Sequence, residues 1–192
     1  MVSSDVSTIG KPRYERAELD FYPTPKEVTQ AILPHLPENV IFWEPCYGNG
    51  AISSVLEDVG WTYKSDVKTY VDTYDGSCKH DFLTQKPRFN EPVCIVTNPP
   101  YAKSREFVAR ALELSQVVRA FFLLRHEWDA LAASLPLVTH PSFKCKYVLK
   151  KRPRWIEGTS TAPRFPYAWY EWDKKLKGPP TIIYGLEPKT EW

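Results

Sequence analysis

Thr97-Asn98-Pro99-Pro100-Tyr101 is the stretch whose residue types most narrowly define a chemistry. Two prolines in succession hold the backbone rigid, because each ring fixes its own φ and restricts the residue before it. An amide and an aromatic ring flank them. An exocyclic amine conjugated to a flat ring is a poor nucleophile, so its N–H protons must be accepted to push the nitrogen toward sp3 geometry. The side-chain oxygen of Asn98 and the carbonyl of Pro99 suit that task. Tyr101 can stack on the ring and hold it for in-line attack on an electrophile, a gain chiefly of positioning. The plainer alternative is a proline-terminated strand in which Asn98 only bonds its own turn.

A second set, Glu44-Pro45-Cys46-Tyr47-Gly48-Asn49-Gly50, follows the short apolar run Val40-Ile41-Phe42-Trp43. Its glycines permit close approach of a ligand to the backbone, and the free N–H groups of a following helix could face a nucleotide-like cofactor. Taken alone, the turn is equally a tight connection that binds nothing.

The elements that must hold these residues read as alternating strands and helices. Thr24-Pro25-Lys26-Glu27 has the form of a helix start, with a threonine cap, proline at the first helical position and a glutamate placed for a capping box. Val28, Ala31 and Ile32 then share a face, and Ala51, Ile52, Val55, Leu56 and Val59 predict a helix after the glycine turn. Extended segments are expected at Trp61 to Val67, at Val93 to Thr97 and at Ala120 to Leu124. Helices are expected at Ser104 to Leu114 and near Glu127 to Leu135. Val93-Cys94-Ile95-Val96-Thr97 is apolar enough to be covered on both faces. This alternation predicts an α/β fold with a mainly parallel sheet and helices on both faces. The last third, with extended segments near Cys145 to Trp155, Tyr167 to Asp173 and Thr181 to Tyr184, predicts antiparallel strands at one edge.

At 192 residues the chain suits one domain of ordinary size, expected over residues 21–192 after a polar leader at residues 1–20. The formal charge of +2 says little about partners, so local charge must decide. Cys46, Cys78, Cys94 and Cys145 lie far apart and form no C-x-x-C pair, which indicates neither a zinc site nor a disulfide framework; reduced thiols in the cytoplasm are the expectation. No metal is needed by the chemistry, and no apolar run is long enough to cross a bilayer.

These motifs together resemble the S-adenosylmethionine-dependent amino-methyltransferases of the class I, Rossmann-like fold. The likeness is greatest to the small phage and bacterial DNA N6-adenine enzymes, over nearly all residues from Phe21 onward. Phe21-Tyr22-Pro23-Thr24-Pro25 matches the family's F-x-P-T-P segment, which implies that Tyr22 and Thr24 lie at the methionine carboxylate end of the cofactor. The resemblance further implies Glu44 near the cofactor's amino group and Pro45, Gly48 and Gly50 beneath its ribose and methionine. Asp66 would lie on the ribose hydroxyls, Asp81 and Phe82 on the cofactor's adenine, and Asn98 to Tyr101 would be the catalytic tetrapeptide. Asp66 is otherwise a surface carboxylate, and Phe82 a core residue beside a solvated Asp81. Leu123-Leu124-Arg125-His126-Glu127-Trp128 is similar to the family's fifth strand and the turn after it, with no catalytic role implied.

For the substrate, alternation predicts Lys144, Lys146, Lys150, Arg152 and Arg154 on one face of an extended strand, with Cys145, Tyr147 and Leu149 opposite. Such a cationic face suits phosphates, or else keeps an edge strand soluble. Trp155 and Phe165, which bound the polar loop 156–164, are candidates for touching a flipped base. The chain has no room for a separate target-recognition domain, so weak or short sequence specificity toward DNA is expected. RNA and the side-chain amide of a protein glutamine present similar amines to an Asn-Pro-Pro-Tyr motif and remain alternatives, as does a non-enzymatic nucleic-acid-binding protein of this fold.

Overall fold

The computed structural model describes residues 22–68, 78–87, 89–155, 165–176 and 178–188. The leader before Tyr22 and the loop 156–164 lie outside the described residues. Among the described residues eight strands form one sheet: β1 Ile41–Glu44, β2 Thr62–Asp66, β3 Cys78–Lys79, β4 Val93–Thr97, β5 Val117–Arg125, β6 Phe143–Leu149, β7 Tyr167–Asp173 and β8 Thr181–Leu186. Their spatial order is β3-β2-β1-β4-β5-β7-β6-β8.

Strands β1 to β5 pair in parallel, β7 is antiparallel to both β5 and β6, and β8 lies parallel to β6. The expected antiparallel edge is present, with the outermost strand running parallel to its neighbour. From β1 the chain builds outward through β2 and β3, then returns to the other side of β1 as β4 and continues to β5. The order therefore reverses between β1 and β4, the switch point outside whose strand ends lies the crevice where open α/β sheets take ligands.

Strict alternation along β4 supplies both faces of the sheet. Val93 and Ile95 enter one core with Trp43, Phe122 and Trp172, while Cys94 and Val96 enter the other with Phe42, Phe121 and Trp169. Helix α1, Lys26–Ile32, covers the second face and is tied to β7 by the Trp169 indole N–H, which donates to the Val28 carbonyl at 3.0 Å. Helix α3, Ser104–Glu113, covers the first face through Phe107, Val108 and Ala111.

Three local expectations change. Thr24 does not cap α1: Pro25 is the N-cap residue, no side chain caps the helix, and the Thr24 hydroxyl is engaged by Asn98 instead. The helix after the glycine turn shortens to α2, Ser53–Leu56, flanked by turns. The helix near Glu127 to Leu135 is two 3₁₀ turns, His126–Ala130 and Ala132–Ser134, separated by Leu131 in an extended conformation and followed by α4, Leu135–Val138. The first turn places Trp128 in the core, where its indole N–H donates to the Ser104 hydroxyl at 2.9 Å, a tertiary demand that outweighs helical periodicity.

Candidate active site

Strand β4 delivers Asn98 to the crevice, and Pro99-Pro100 stop the strand from continuing. Tyr101 opens a 3₁₀ turn, Tyr101–Lys103, whose carbonyl accepts from the Ser104 hydroxyl at 3.0 Å. The Asn98 Nδ2 donates to the Thr24 hydroxyl at 3.2 Å and to the Tyr22 carbonyl at 3.4 Å; its Oδ1 is buried without a hydrogen-bond partner among the described residues. The Tyr101 hydroxyl is likewise buried, which, with Tyr167 beside it, holds the phenol well above its ordinary range.

Next to it, β1 ends in Glu44, 2% exposed. Burial holds its carboxyl well above the usual carboxylate range against the hydrogen bonds of Ser53, and the nearby charges of Asp66 and Glu57 add to the effect. Its Oε2 has no partner. After Pro45 and Cys46 the chain turns through Gly48 at φ 55° and Gly50 at φ 84°, a left-handed region that other residues enter at a cost. A Cβ on Gly50 would stand 2.9 Å from the Tyr47 ring, so that position is closed twice over. The turn is fastened to β2: the Gly48 N–H donates to Asp66 Oδ2 at 2.9 Å, and the Tyr47 N–H to the Ser65 carbonyl at 3.0 Å. Burial raises the Asp66 carboxyl, opposed by the backbone N–H groups of Gly48, Lys68 and Val67.

Asp81 organises its own turn, accepting from the Leu83 N–H at 2.9 Å and the Thr84 hydroxyl at 2.7 Å. Slight burial presses its carboxyl up, but those two donors and Lys103 outweigh it and hold it below its ordinary value. Phe82 is a core residue, stacked on Phe107 at 5.1 Å between ring centroids, and still meets the wall of the cleft. The crevice holds a cleft of about 410 Å³, a volume suited to a small organic ligand, and Pro99, Tyr101 and Gly50 stand outside its lining. Tyr22, Thr24, Glu44, Pro45, Gly48, Asp66, Asp81, Phe82, Asn98 and Pro100 line it directly. Gly50 shapes it from behind, through Tyr47. Cys46, Tyr47, Lys103 and Phe107 also line the cleft. Cys46 and Tyr47 fall inside the glycine stretch that sequence singles out, but nothing in the sequence marks the other two.

Beyond Asn98 an aromatic wall runs from Tyr101 to Tyr167 (5.7 Å between centroids), on to Trp155 (4.9 Å) and to Tyr22 (6.2 Å). Phe165 lies under the Arg125 guanidinium at 4.2 Å. Arg125 ends β5 in register with Tyr167, a placement that sequence spacing alone does not disclose.

The single cationic face is not present. A register shift between Phe143 and Cys145 interrupts the alternation of β6. Lys144 turns to Glu171 (3.3 Å) and Asp173 (3.1 Å), whereas Lys146, 6% exposed, reaches Asp129 at 2.8 Å and the His126 carbonyl at 2.7 Å. The strand ends at Leu149, so Lys150, Arg152 and Arg154 follow it in an exposed segment leading to Trp155, with Lys150 paired to Glu187 at 2.8 Å. Among the described residues no group of three or more His, Cys, Asp or Glu could hold a metal ion, and no helix is long and apolar enough to cross a membrane.

No protein-family model matches the sequence, and no curated protein matches it. Among solved structures, the putative RNA methyltransferase PH1948 from Pyrococcus horikoshii matches with a TM-score of 0.61 and 15% identity, over 85% of this chain and 91% of that one. The 23S rRNA methyltransferase ErmE matches at 0.58 and 19% identity, over 78% of this chain and 68% of its own. A modification subunit of a putative type I restriction enzyme from Vibrio vulnificus YJ016 matches at 0.56 and 12% identity, over 85% of this chain and 46% of that subunit. At these identities the likeness is one of fold: the chain has the Rossmann-like fold of methyltransferases.

Proposed function

We propose that this protein transfers a methyl group from S-adenosylmethionine to the exocyclic amino group of adenine in DNA, with weak or short sequence specificity. The observation that carries the reading is the Asn98 Oδ1, an acceptor buried without a partner at the rim of a cleft that also contains a partnerless Glu44 oxygen. Leaving such groups unpaired costs about 1–3 kcal/mol each, which a ligand supplying the donors would recover.

The cleft fits the cofactor by its donor set. Glu44 would pair with the amino group of the methionine moiety, Tyr22 and Thr24 would stand at its carboxylate end, and Pro45, Gly48 and Gly50 would leave room for the chain of the cofactor. Asp66 retains lone pairs for ribose hydroxyls, and Asp81 and Phe82 would hold its adenine. The cofactor supplies a methyl carbon on a sulfonium sulfur, and the sulfur keeps the electron pair of the broken C–S bond. Asn98 Oδ1 and the Pro99 carbonyl accept the N–H groups of the substrate amine and draw its nitrogen toward sp3. Its lone pair thus becomes available to form the N–CH3 bond, and the surplus proton leaves along these acceptors to water. Pro100 keeps the turn rigid, and Tyr101 stacks on the base. Trp155 and Phe165 would bound the flipped base, and Lys150, Arg152 and Arg154 would meet the phosphates.

The same chemistry on RNA is the second reading, favoured by the names of ErmE and PH1948. Both are tested by incubating the protein with S-adenosylmethionine and either unmethylated duplex DNA or RNA, digesting to nucleosides and measuring methyladenosine by mass spectrometry. Methyladenine in DNA is expected, with a loss of about 100-fold or more in Asn98→Ala at unchanged cofactor binding. Methylation of RNA alone would transfer the assignment to the second reading, and no methylated base in either would overturn both.

A further inference from the structure

The contacts of Asn98 decide which way its amide faces. A hydroxyl can donate or accept, so Thr24 by itself would tolerate either orientation. A backbone carbonyl only accepts. Turning the amide over would set Oδ1 against the Tyr22 oxygen, 3.4 Å from the present Nδ2, lone pair against lone pair. It would also put N–H groups where the buried, partnerless acceptor now lies. Both partners of Nδ2 come from the segment that leads into α1, and that helix is anchored to β7 through Trp169 and Val28. The Tyr101 side chain, three residues on, lies against the same amide, but the two acceptors that fix its orientation belong to the tertiary fold.

We infer that the Tyr22 carbonyl and the Thr24 hydroxyl act as an orientation clamp, positioning groups that turn the Asn98 nitrogen inward and keep its oxygen for the substrate amine, and that this clamp requires an uncharged side chain at position 98. The inference rests on the reading of Asn98 as the amine's acceptor. An ionised aspartate there would face the Tyr22 carbonyl with a carboxylate oxygen, a repulsion that hydrogen bonds from the Thr24 and Tyr101 hydroxyls offset only in part. A protonated aspartate would donate its O–H to that carbonyl and retain a free acceptor oxygen, reproducing the geometry of the amide.

The test compares Asn98→Asp with the natural protein across about pH 6 to about pH 8, at saturating S-adenosylmethionine, by rate of methyl transfer to DNA. Tyr101 against the Asn98 side chain, Tyr167 and Arg125 beside it, and Glu44, Asp66, Asp81, Cys46 and Lys103 around the cleft are common to both proteins, so the ratio of rates at each pH removes their contribution. The ratio is expected to rise as pH falls, by up to about tenfold per pH unit while the introduced carboxyl is mostly ionised. A ratio that is flat, or that rises with pH, would show the carboxylate working as the acceptor and overturn the clamp.

Thr24→Val and Thr24→Ser provide the second arm. Valine should lower kcat about tenfold and serine restore most of it. A change in KM for the cofactor with kcat untouched would mean that Thr24 serves the cofactor alone, which also sinks the clamp. A natural protein that methylates no base overturns the functional reading and the clamp with it, whereas an active protein with a flat ratio overturns the clamp only.

Discussion

Two buried glutamates, one on each half of the sheet, separate what this molecule builds for stability from what it holds open. Glu171 on β7 is fully enclosed, yet both of its carboxylate oxygens have donors. The Arg119 guanidinium bonds it through both Nε, at 2.8 Å, and a terminal nitrogen; the Tyr147 hydroxyl donates at 2.7 Å, and Lys144 approaches to 3.3 Å. Arg119 extends the network to the His35 carbonyl at 3.1 Å. Glu44 on β1 is buried to nearly the same degree and, among the described residues, has no cation, only Ser53. The difference follows the topology. Antiparallel β5, β7 and β6 bring side chains from three strands together, while the chain leaves β1 and β4 toward opposite faces, Ile52 and Leu56 in one core and Phe107 and Val108 in the other. A satisfied buried network fixes the fold; polar groups left unsatisfied mark where a ligand completes the structure.

The largest effect that could break this contrast is on the satisfied side. Glu171→Ala leaves the half-buried Arg119 with only Asp173 and the His35 carbonyl and strips the Tyr147 hydroxyl of its acceptor, and removing one member of such a network costs about 3–5 kcal/mol. In a chain of this size each kcal/mol moves the melting midpoint by about 2–4 °C. A drop of roughly 10 °C is therefore expected by calorimetry, with methyl transfer by the protein that remains folded unchanged. A shift of less than about 2 °C would mean that the network is not what holds the two strands together.

Glu44→Gln should act with the opposite sign. Burial raises the folded-state pKa of Glu44 above its unfolded value, so the folded protein holds that proton more tightly. The cofactor-free protein accordingly loses stability as pH rises from the unfolded pKa through the folded one, and no further above it. Glutamine escapes that loss, and the variant should melt a few degrees higher at neutral pH, about 2–4 °C for each kcal/mol. Cofactor binding should weaken by about ten- to a hundredfold, as for a missing charge-assisted hydrogen bond. In the natural protein, affinity should fall as pH drops through the raised pKa, because a protonated Glu44 no longer attracts an ammonium group; in the variant this dependence disappears. Thermal melts and calorimetric titrations over a pH series check both halves. A variant that melts lower would place Glu44 with Glu171, as a structural carboxylate.

The sequence disclosed these two glutamates unequally, for physical reasons. Val93 to Thr97 is a strand to the residue, because two covered faces leave an unbroken apolar run, and Tyr167 to Asp173 is one because its aromatics alternate between two cores. Glu44, Gly48 and Asn98 stood out by local type and spacing. Glu171, Arg119 and Tyr147 did not, since their relation exists only once three strands are laid side by side in register. Lys144 and Lys146 misled for the same reason: the shift in β6 sends them to different faces and into ion pairs that strand periodicity cannot foresee. Thr24 matched a capping pattern, but a contact 74 residues away claimed its hydroxyl.

The smallest effect sharpens the contrast among the lysines and arginines that follow one another from Lys144 to Arg154. Lys144 and Lys146 belong to the closed half of the molecule, whereas Arg152 and Arg154 lie exposed on the approach to Trp155. If the exposed pair meets phosphates, Arg152→Ala with Arg154→Ala should lower affinity for a labelled duplex only several-fold near physiological salt. The slope of log affinity against log salt should fall by about 0.9 for each phosphate that is no longer neutralised. Lys146→Met should leave that slope unchanged and lower the melting midpoint, because it abandons Asp129 and Tyr170 in a half-buried site. Fluorescence anisotropy at several salt concentrations separates the two kinds of cation. An unchanged slope in the arginine variant would mean that these charges only solvate the surface, and would move the nucleic-acid path toward the exposed Lys103 and the half-buried Arg105, which follow Tyr101 in the chain.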